Sequence, residues 1–190
     1  MTPLLIAVLL AAPKIPYVAE DKVGPPDLVA AIRARRPGGK LWNLDRMLLN
    51  SPAFAKGWNA MFGAIRGQLS LPGKLREISI MAIAVLNKAD YEWAAHEPEL
   101  KSAGGSAEQI AALKDPVAAS KNEKLFDEPE RAALALAIEM TREVQVQDAT
   151  LKRVRAALSD QQVVELIGTI AAYNMVSRFL VATGVEPDPR

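Results

Sequence analysis

The hydrophobic positions of the chain recur at spacings of three and four between Pro, Gly and capping residues, a pattern that predicts helices. No run of alternating β-branched residues indicates a strand. We therefore expect an all-α, multi-helix bundle of about eight helices. The predicted helical segments are 26–36, 41–50, 52–68, 72–86, 90–103, 106–113, 127–143 and 159–182.

Helix boundaries are marked by local capping signals. Ser51 before Pro52 predicts an N-cap, and Asp90 is expected to cap the helix that follows it. The segments that begin at Asp127 and Ser159 read as capping boxes, and Gly184 follows the last helix as a C-cap. The segment 115–124 is expected to be a polar connector.

Two helices carry most of the predicted core. In segment 52–68 the expected buried residues lie at helical spacing, namely Phe54, Trp58, Met61, Phe62 and Ile65. Segment 72–86 is apolar nearly all round, which is typical of a helix in the centre of a fold. Glu77 lies in the first turns of this helix. It is either a solvated residue near the positive end of the helix dipole or a carboxylate carried into the interior.

Composition limits the chemistry. The chain has 190 residues, with 23 Lys and Arg against 22 Asp and Glu, so a strongly basic nucleic-acid surface is not expected. There is no Cys, and His96 is the one His. These counts exclude disulfides, thiolate catalysis and metal sites built on Cys or on several imidazoles. We expect a single domain over 14–190 with no nucleic-acid partner.

The first residues are almost wholly apolar. Residues 1–12 have the composition of the hydrophobic part of a signal peptide, but no Lys or Arg precedes them and Pro13 stands where it would hinder cleavage. Twelve residues are also too few to span a bilayer, which needs about 20. We expect 1–13 to be an N-terminal extension that packs on the domain or on a partner subunit, in a cytoplasmic protein without a membrane span. The alternative is an exported protein with a weak signal peptide.

One helix brings ionisable side chains together. Glu92 and His96 are four residues apart, so on a helix they share one face. A carboxylate beside an imidazole is an arrangement used for general acid–base catalysis, but it also occurs on solvated helices. The flanking Tyr91 and Trp93 are either core residues or a platform for a ligand.

A longer pattern extends this motif. Arg76–Glu77 precedes the element Tyr91-Glu92-Trp93-x-x-His96 by about 15 residues. Over nearly the whole chain beyond residue 13 the sequence resembles the carboxymuconolactone decarboxylase family, which is part of the all-α alkylhydroperoxidase D-like superfamily. The segments that carry the resemblance are 14–18, 41–48, 76–110, 172–179 and 184–187.

The resemblance implies a set of catalytic residues, of which this chain lacks the two cysteines. Thiol peroxidases of the superfamily use a Glu, a C-x-x-C pair and a His. By spacing, the Glu falls on Glu77, the His on His96, and the two Cys on Ala89 and Glu92. Both thiols are absent, so peroxide reduction through a disulfide cycle is not available here. The glutamate and histidine of the proton relay remain.

The decarboxylase branch implies a reaction without a metal or organic cofactor, in which a carboxylated muconolactone loses CO2. We predict His96 as the proton donor or shuttle, Glu77 as its buried partner and Glu92 as a second carboxylate that tunes the pair. Arg46 is a candidate for a substrate carboxylate, or else forms a salt bridge, and the substrate-binding candidates are Arg46, Tyr91 and Trp93.

The predicted function is therefore a lyase or isomerase acting on a small lactone or cyclic carboxylic acid. The alternative is a non-catalytic ligand-binding or assembly protein of the same fold. The resemblance also implies a homo-oligomer, as a trimer or hexamer or a dimer.

Overall fold

The computed structural model describes residues 12–188, and all regular structure in this range is helical. The predicted all-α class is confirmed. The ten α-helices are α1 (Pro26–Ala34), α2 (Asn43–Leu48), α3 (Pro52–Gly67), α4 (Gly73–Leu86), α5 (Asp90–Ser102), α6 (Ala107–Ala112), α7 (Pro116–Ala119), α8 (Glu128–Arg142), α9 (Asp148–Ala157) and α10 (Asp160–Thr183). Short 3-10 turns stand at Glu20–Lys22 and Pro37–Gly39.

The described chain has two α-helices more than the expected eight. One is the single turn α7, which lies inside the predicted connector and is capped by the Asp115 side chain accepting from the amide of Ala118. The other is α9, between two predicted helices. The four residues of α7 are too few for hydrophobic periodicity to reveal a helix.

Capping explains where several helices begin. The predicted boxes are present at α8, where Asp127 pairs with Glu130, and at α10, where Ser159 pairs with Gln162. Gly184 closes α10 with a left-handed φ of 68°, a conformation that favours glycine. The predicted caps Ser51 and Asp90 make no side-chain cap hydrogen bond; Ser51 holds the N-cap position, and Asp90 is already the first residue of α5.

Helix α4 is the centre of the fold, as its apolar sequence predicts. It packs against α5, α8 and α10. Ile80 and Ile83 join the larger hydrophobic cluster, and Ile78 and Met81 join a smaller cluster with α5, α7 and α8. A helix that is apolar on every face is buried on every face. Helix α4 therefore carries Glu77 into the interior, with only 1% of the residue exposed.

Helix α3 is less buried than its pattern predicts. Trp58, Phe62 and Ile65 are core residues, whereas Phe54 and Met61 are 45% and 39% exposed. Phe54 still lies in edge contact with Trp58, with ring centroids 5.8 Å apart. The expected burial of Phe54 and Met61 within the subunit is therefore wrong, because the apolar stripe of α3 is wider than the face that α1, α2 and α10 cover.

The two ends of the described chain meet. The amide of Lys14 donates to the carbonyl of Thr183, and the amide of Glu186 donates to the hydroxyl of Tyr17, at 2.9 and 3.0 Å. The C-terminal segment then crosses α2, where Asp188 accepts from the amide of Asn43 at 2.8 Å. Apart from its last two residues, the predicted N-terminal extension lies outside the described residues.

Helix α10 is long and apolar enough to cross a membrane by length and composition, but 56% of its most apolar window is buried inside the fold. Leu166, Ile170 and Tyr173 belong to the large hydrophobic cluster. These residues identify α10 as a second core helix packed against α4 and α8.

Candidate active site

The site forms where α4 and α5 lie side by side. Oε2 of Glu77 on α4 is 2.7 Å from Nδ1 of His96 on α5, and both side chains are buried. The other carboxylate oxygen of Glu77 accepts from Nε of Arg76 at 2.9 Å. The chain reaches this geometry through a tight break at 87–89, where Lys88 adopts a left-handed φ of 55°. The amide side chain of Asn87 anchors the break by donating to Asn174 and Ser177 of α10.

The contacts of Glu77 fix its charge. Burial on its own would raise the pKa of this carboxyl, but the hydrogen bonds and charges of His96 and Arg76 together lower the pKa below its ordinary value. An ionised carboxylate only accepts hydrogen bonds, so Nδ1 of His96 carries the hydrogen. In the neutral ring Nε2 then holds the free lone pair, and no residue in 12–188 hydrogen-bonds it. The pair therefore holds an imidazole ready to accept a proton at Nε2.

Glu92 is a second carboxyl with the opposite environment. It is 1% exposed, and among the described residues neither of its oxygens has a hydrogen-bond partner. Burial raises the pKa of Glu92 well above its ordinary value, which favours the neutral, protonated acid. The pKa values of Glu77 and Glu92 are thus shifted in opposite directions, which favours the ionised form of Glu77 and the protonated form of Glu92. This separation is typical of acid–base sites.

Both Glu92 and His96 line a narrow cavity of about 40 Å³. Its walls combine aromatic and aliphatic side chains with three guanidinium groups; the other lining residues are Arg35, Arg36, Trp42, Leu44, Trp58, Phe62, Arg66, Tyr91, Ala95, Tyr173, Val176 and Leu180. Tyr173 packs edge-on against the His96 ring, with centroids 5.0 Å apart and planes at 89°. Burial raises the pKa of the Tyr173 phenol, which keeps it protonated.

A second, larger cavity adjoins the first. Its volume is about 240 Å³, and it shares Trp42, Tyr91 and Ala95 with the inner cavity. Tyr91 also donates to the carboxylate of Asp188 at 2.9 Å, and Asp188 lines the outer cavity. The predicted ligand-facing role of Tyr91 is compatible with this position between the two cavities.

Arg46 and Trp93 do not line either of these cavities. Nε of Arg46 donates to the carbonyl of Val18 at 2.9 Å, and its guanidinium lies 5.4 Å from the Tyr17 ring centroid. These contacts tie α2 to the N-terminal segment, so the geometry does not support Arg46 as the carboxylate ligand.

Trp93 points to the other side of α5. Its indole N–H donates to Glu97, and Nζ of Lys114 lies 3.3 Å from its ring centroid. Trp93 packs on the smaller hydrophobic cluster. Trp93 is rotated by about 100° from Glu92 around α5, and its contacts with Glu97 and Lys114 hold its ring outside the cavity.

The sequence did not identify the three arginines that line the inner cavity, namely Arg35, Arg36 and Arg66. Arg66 carried a usable signal, because it follows Phe62 by four residues and Trp58 by eight and so continues the aromatic face of α3. Arg35 and Arg36 come from the end of α1, and only the tertiary fold brings them to the site.

Within residues 12–188, no three His, Asp or Glu side chains converge as a candidate metal site. Residues 52–138, which include α3, α4, α5 and most of α8, match the Carboxymuconolactone decarboxylase family. This match confirms the resemblance to that family. The Glu77–His96 pair and Glu92 all lie inside the matched segment, and the sequence contains no cysteine.

Solved structures share the fold. An uncharacterized peroxidase-related protein from Silicibacter sp. TM1040 superposes with a TM-score of 0.75 at 19% identity, covering 94% of this chain and 95% of that one. An alkylhydroperoxidase AhpD core protein from Ralstonia eutropha JMP134, also described as peroxidase-related and uncharacterized, gives 0.78 at 19% identity, with 93% and 92% covered.

A third similar structure is a Cys-to-Ala variant of the debrominase Bmp8 in complex with 2,3,4-tribromopyrrole. It gives a TM-score of 0.76 at 17% identity and covers 96% of this chain and 93% of that one. At such identities the likeness shows the fold alone. A search among curated proteins returned no match.

Proposed function

We propose that this protein is a cofactor-independent lyase or isomerase that moves a proton to or from carbon in a small lactone or cyclic carboxylic acid. The observation that carries the proposal is the buried contact between Glu77 and His96, 2.7 Å long, together with the buried, unpartnered carboxyl of Glu92 that lines the same cavity as His96. The set supplies a base and an acid without any thiol.

His96 acts through Nε2. For isomerisation, Nε2 takes a proton from a carbon next to the substrate carbonyl, the C–H electron pair moves into the carbonyl as an enolate, and the imidazolium returns the proton to another carbon. For decarboxylation, Nε2 first takes a proton from solvent. The bond to the carboxylate then breaks, its electron pair forms the enolate, CO2 leaves, and imidazolium Nε2–H protonates carbon, which returns the ring to its neutral form. Glu77 stabilises the imidazolium in both cases, because it is ionised and accepts from Nδ1.

Glu92 stabilises the enolate as a hydrogen-bond donor. A protonated carboxyl offers one O–H, and both Glu92 oxygens are free of partners in the described chain, so the donor is available to an oxygen in the cavity. A donor already fixed in an apolar site contributes more to an enolate than to the neutral carbonyl, which is the differential stabilisation that catalysis requires. Glu92 thus has a direct role beyond tuning the Glu77–His96 pair.

Substrate size follows from the two cavities. The inner cavity, at about 40 Å³, is too small to enclose a ring compound, whereas the outer one holds about 240 Å³. A ring compound therefore occupies the outer cavity and presents its reacting carbon past Trp42 and Tyr91 to His96. Aromatic and aliphatic walls favour an apolar ring with few polar groups.

The proposal is tested by turnover of γ-carboxymuconolactone, followed by loss of absorbance, with deuterium incorporation from D2O as a second readout. His96→Ala is expected to reduce turnover by about 10²-fold or more. Glu20→Gln, which changes an exposed carboxylate remote from the cavity, serves as the control and is expected to leave turnover unchanged.

Turnover that His96→Ala does not affect would overturn the relay. If a panel of lactones and cyclic acids shows neither turnover nor deuterium exchange while the protein is folded, the non-catalytic ligand-binding function replaces the proposal. In that case His96→Ala would leave ligand affinity largely intact.

We also propose that the protein functions as a homo-oligomer. Phe54, Met61, Val164 and Val181 are large apolar residues that are 39–69% exposed, and further contacts between copies would bury them. Light scattering coupled to size exclusion measures the mass directly, and a monomer of 20.5 kDa would contradict this part of the proposal.

A further inference from the structure

The inner cavity carries an unusual concentration of positive charge. Arg35 and Arg36 reach it from the end of α1, and Arg66 reaches it from the end of α3. A guanidinium has five N–H donors and stays charged at any ordinary pH. Three such groups around one small cavity raise the question of which anions balance them.

Arg36 is paired with a carboxylate of the protein. Its Nε and Nη2 donate to the two oxygens of Asp45 at 2.8 and 2.6 Å, and its guanidinium carbon stacks 4.1 Å from the Trp42 ring centroid. Both side chains of this ion pair are buried. Arg36 therefore holds α1 against α2, and Asp45 balances its charge.

Arg35 lacks a carboxylate of its own. The one side-chain hydrogen bond that it makes within residues 12–188 runs from Nε to the amide oxygen of Asn59 at 2.7 Å, so both Nη groups remain available. Burial and then the neighbouring charge of Arg36 lower the pKa of Arg35, as expected for a cation that the fold does not neutralise. Arg66 has one ion pair, from Nη2 to the partly exposed Glu99 at 2.9 Å.

Arg35 and Arg66 lie along the same face of α3. Asn59, Gly63 and Arg66 stand at i, i+4 and i+7, which places them on one side of the helix. Arg35 bonds to Asn59 and crosses over Gly63, where a β-carbon would lie 3.7 Å from its Cδ. The Arg35 side chain therefore lies along the face of α3 that carries Arg66, and the charge of Arg66 acts on it.

The remaining carboxyls of the site do not neutralise Arg35. Glu77 is bound by Arg76 and His96, Asp45 is bound by Arg36, and the environment of Glu92 favours its neutral form. The cavity therefore keeps an excess positive charge next to apolar walls. An anionic group on an otherwise apolar ligand complements this arrangement.

We propose that Arg35 and Arg66 form a carboxylate-binding subsite, and that the carboxylate bound there is one that the substrate retains in the product. The second part rests on the proposed function. A carboxylate that becomes CO2 loses its charge, so pairing it with guanidinium would stabilise the ground state more than the transition state and slow the reaction. The arginines therefore anchor a different carboxylate, and the reacting carbon faces His96 and Glu92.

The test is equilibrium binding by calorimetry of phenylacetate and of its neutral isostere phenylacetamide, neither of which needs turnover. Wild-type protein is expected to bind the acid at least about 10-fold more tightly than the amide. Arg35→Gln and Arg66→Gln are expected to weaken acid binding by about 10- to 100-fold, as for loss of a hydrogen bond to a charged group, and to leave amide binding unchanged. Arg35→Lys keeps the charge and is expected to recover part of the affinity.

Arg46→Gln is the matched control, because Arg46 is a half-buried arginine outside the cavity. Equal wild-type affinity for acid and amide, absence of acid binding, or acid binding that Arg35→Gln and Arg46→Gln change alike would each overturn the subsite. Should Arg35→Gln not fold, Arg66→Gln and the salt dependence of the wild-type acid-to-amide ratio decide the matter, since only the acid's advantage is screened by salt.

Failure of the subsite is distinguishable from failure of the proposed function. Acid binding that depends on Arg35, without any turnover, would retain the subsite and reject the enzyme. Turnover that depends on His96, with acid binding independent of Arg35, would do the reverse.

Discussion

Oε2 of Glu77 and Nδ1 of His96 lie 2.7 Å apart, although 19 positions separate the two residues along the chain. The contact fixes more than the position of the ring. It assigns the hydrogen to Nδ1 and leaves Nε2 as the basic nitrogen, because the Glu77 carboxylate, whose pKa is lowered, can only accept.

This assignment can be measured directly, because His96 is the only histidine in the chain. In untagged wild-type protein at a pH high enough for the ring to be neutral, the 15N spectrum is expected to show the hydrogen on Nδ1 and none on Nε2. In Glu77→Gln, the new amide N–H faces the ring while its oxygen stays with Arg76, which favours the other tautomer. We expect turnover to fall by about 10²- to 10⁴-fold, as when an orienting carboxylate is lost from a catalytic triad.

A neutral wild-type ring whose hydrogen lies on Nε2 would contradict the assignment. Glu20→Gln, at an exposed carboxylate, provides the matched Glu-to-Gln control for turnover and for the spectrum.

The stability of Glu77→Gln has a defined pH dependence. The folded-state pKa of Glu77 is lowered, so its ionised pair with His96 and Arg76 contributes stability above the unfolded pKa of about 4.3, and that contribution is lost as pH falls through the folded value. We expect the variant to be less stable by about 3 kcal/mol at pH 7, as for loss of one partner of a buried pair, and by less at pH 3. Urea unfolding at both pH values measures the difference; a pH-independent difference would rule out the ionised pair.

For Glu92 the dependence of folding stability on pH has the opposite sign. Its folded-state pKa is raised, so between an unfolded pKa of about 4.3 and the raised folded value the unfolded chain releases a proton that the folded chain retains. Folding stability therefore falls with rising pH in this window, by up to about 1.4 kcal/mol per pH unit.

Glu92→Gln removes this penalty while keeping a similar shape. We expect the variant to gain stability over the wild type as pH rises from 5 to 7, in urea unfolding at several pH values, and at the same time to lose turnover. A stability difference that does not change with pH would show that Glu92 is ionised in the folded protein. A glutamine at an exposed site, as in Glu20→Gln, should show no such trend.

The sequence indicated the glutamates and the histidine of this site but not the arginines that line the cavity, for a physical reason. Helical periodicity identifies which residues share a face of one helix, so Glu92 with His96, and the buried helix that carries Glu77, follow from spacing. Contacts between helices do not follow from spacing. Arg35 reaches the cavity only because α1 packs against α3, and no local pattern marks it.

Arg46 is the converse case. The sequence offers it either as a ligand for the substrate carboxylate or as a salt-bridge residue, and its neighbours in space are the carbonyl of Val18 and the ring of Tyr17. Arg46→Gln is expected to leave kcat and KM within about 2-fold and to reduce stability by about 1 kcal/mol through loss of the hydrogen bond to Val18. A large rise in KM for Arg46→Gln, with unchanged stability, would restore the sequence-based assignment.

Tyr91 and Asp188 make the last testable connection, between the cavities and the C-terminal segment. The Tyr91 hydroxyl donates to Oδ2 of Asp188 at 2.9 Å while Oδ1 accepts from the amide of Asn43 at 2.8 Å, so the carboxylate holds the segment beside the outer cavity.

Tyr91→Phe removes one of these bonds and leaves the Glu77–His96 pair untouched. We expect faster hydrogen exchange over residues 184–188 and a change in KM of about 3-fold or more, with kcat nearly unchanged. Asp188→Ala is expected to have a similar effect, and the double variant should show less than the sum of the two, because both changes break the same hydrogen bond. Additive effects, or a loss of kcat without a change in KM, would instead place Tyr91 among the reacting groups.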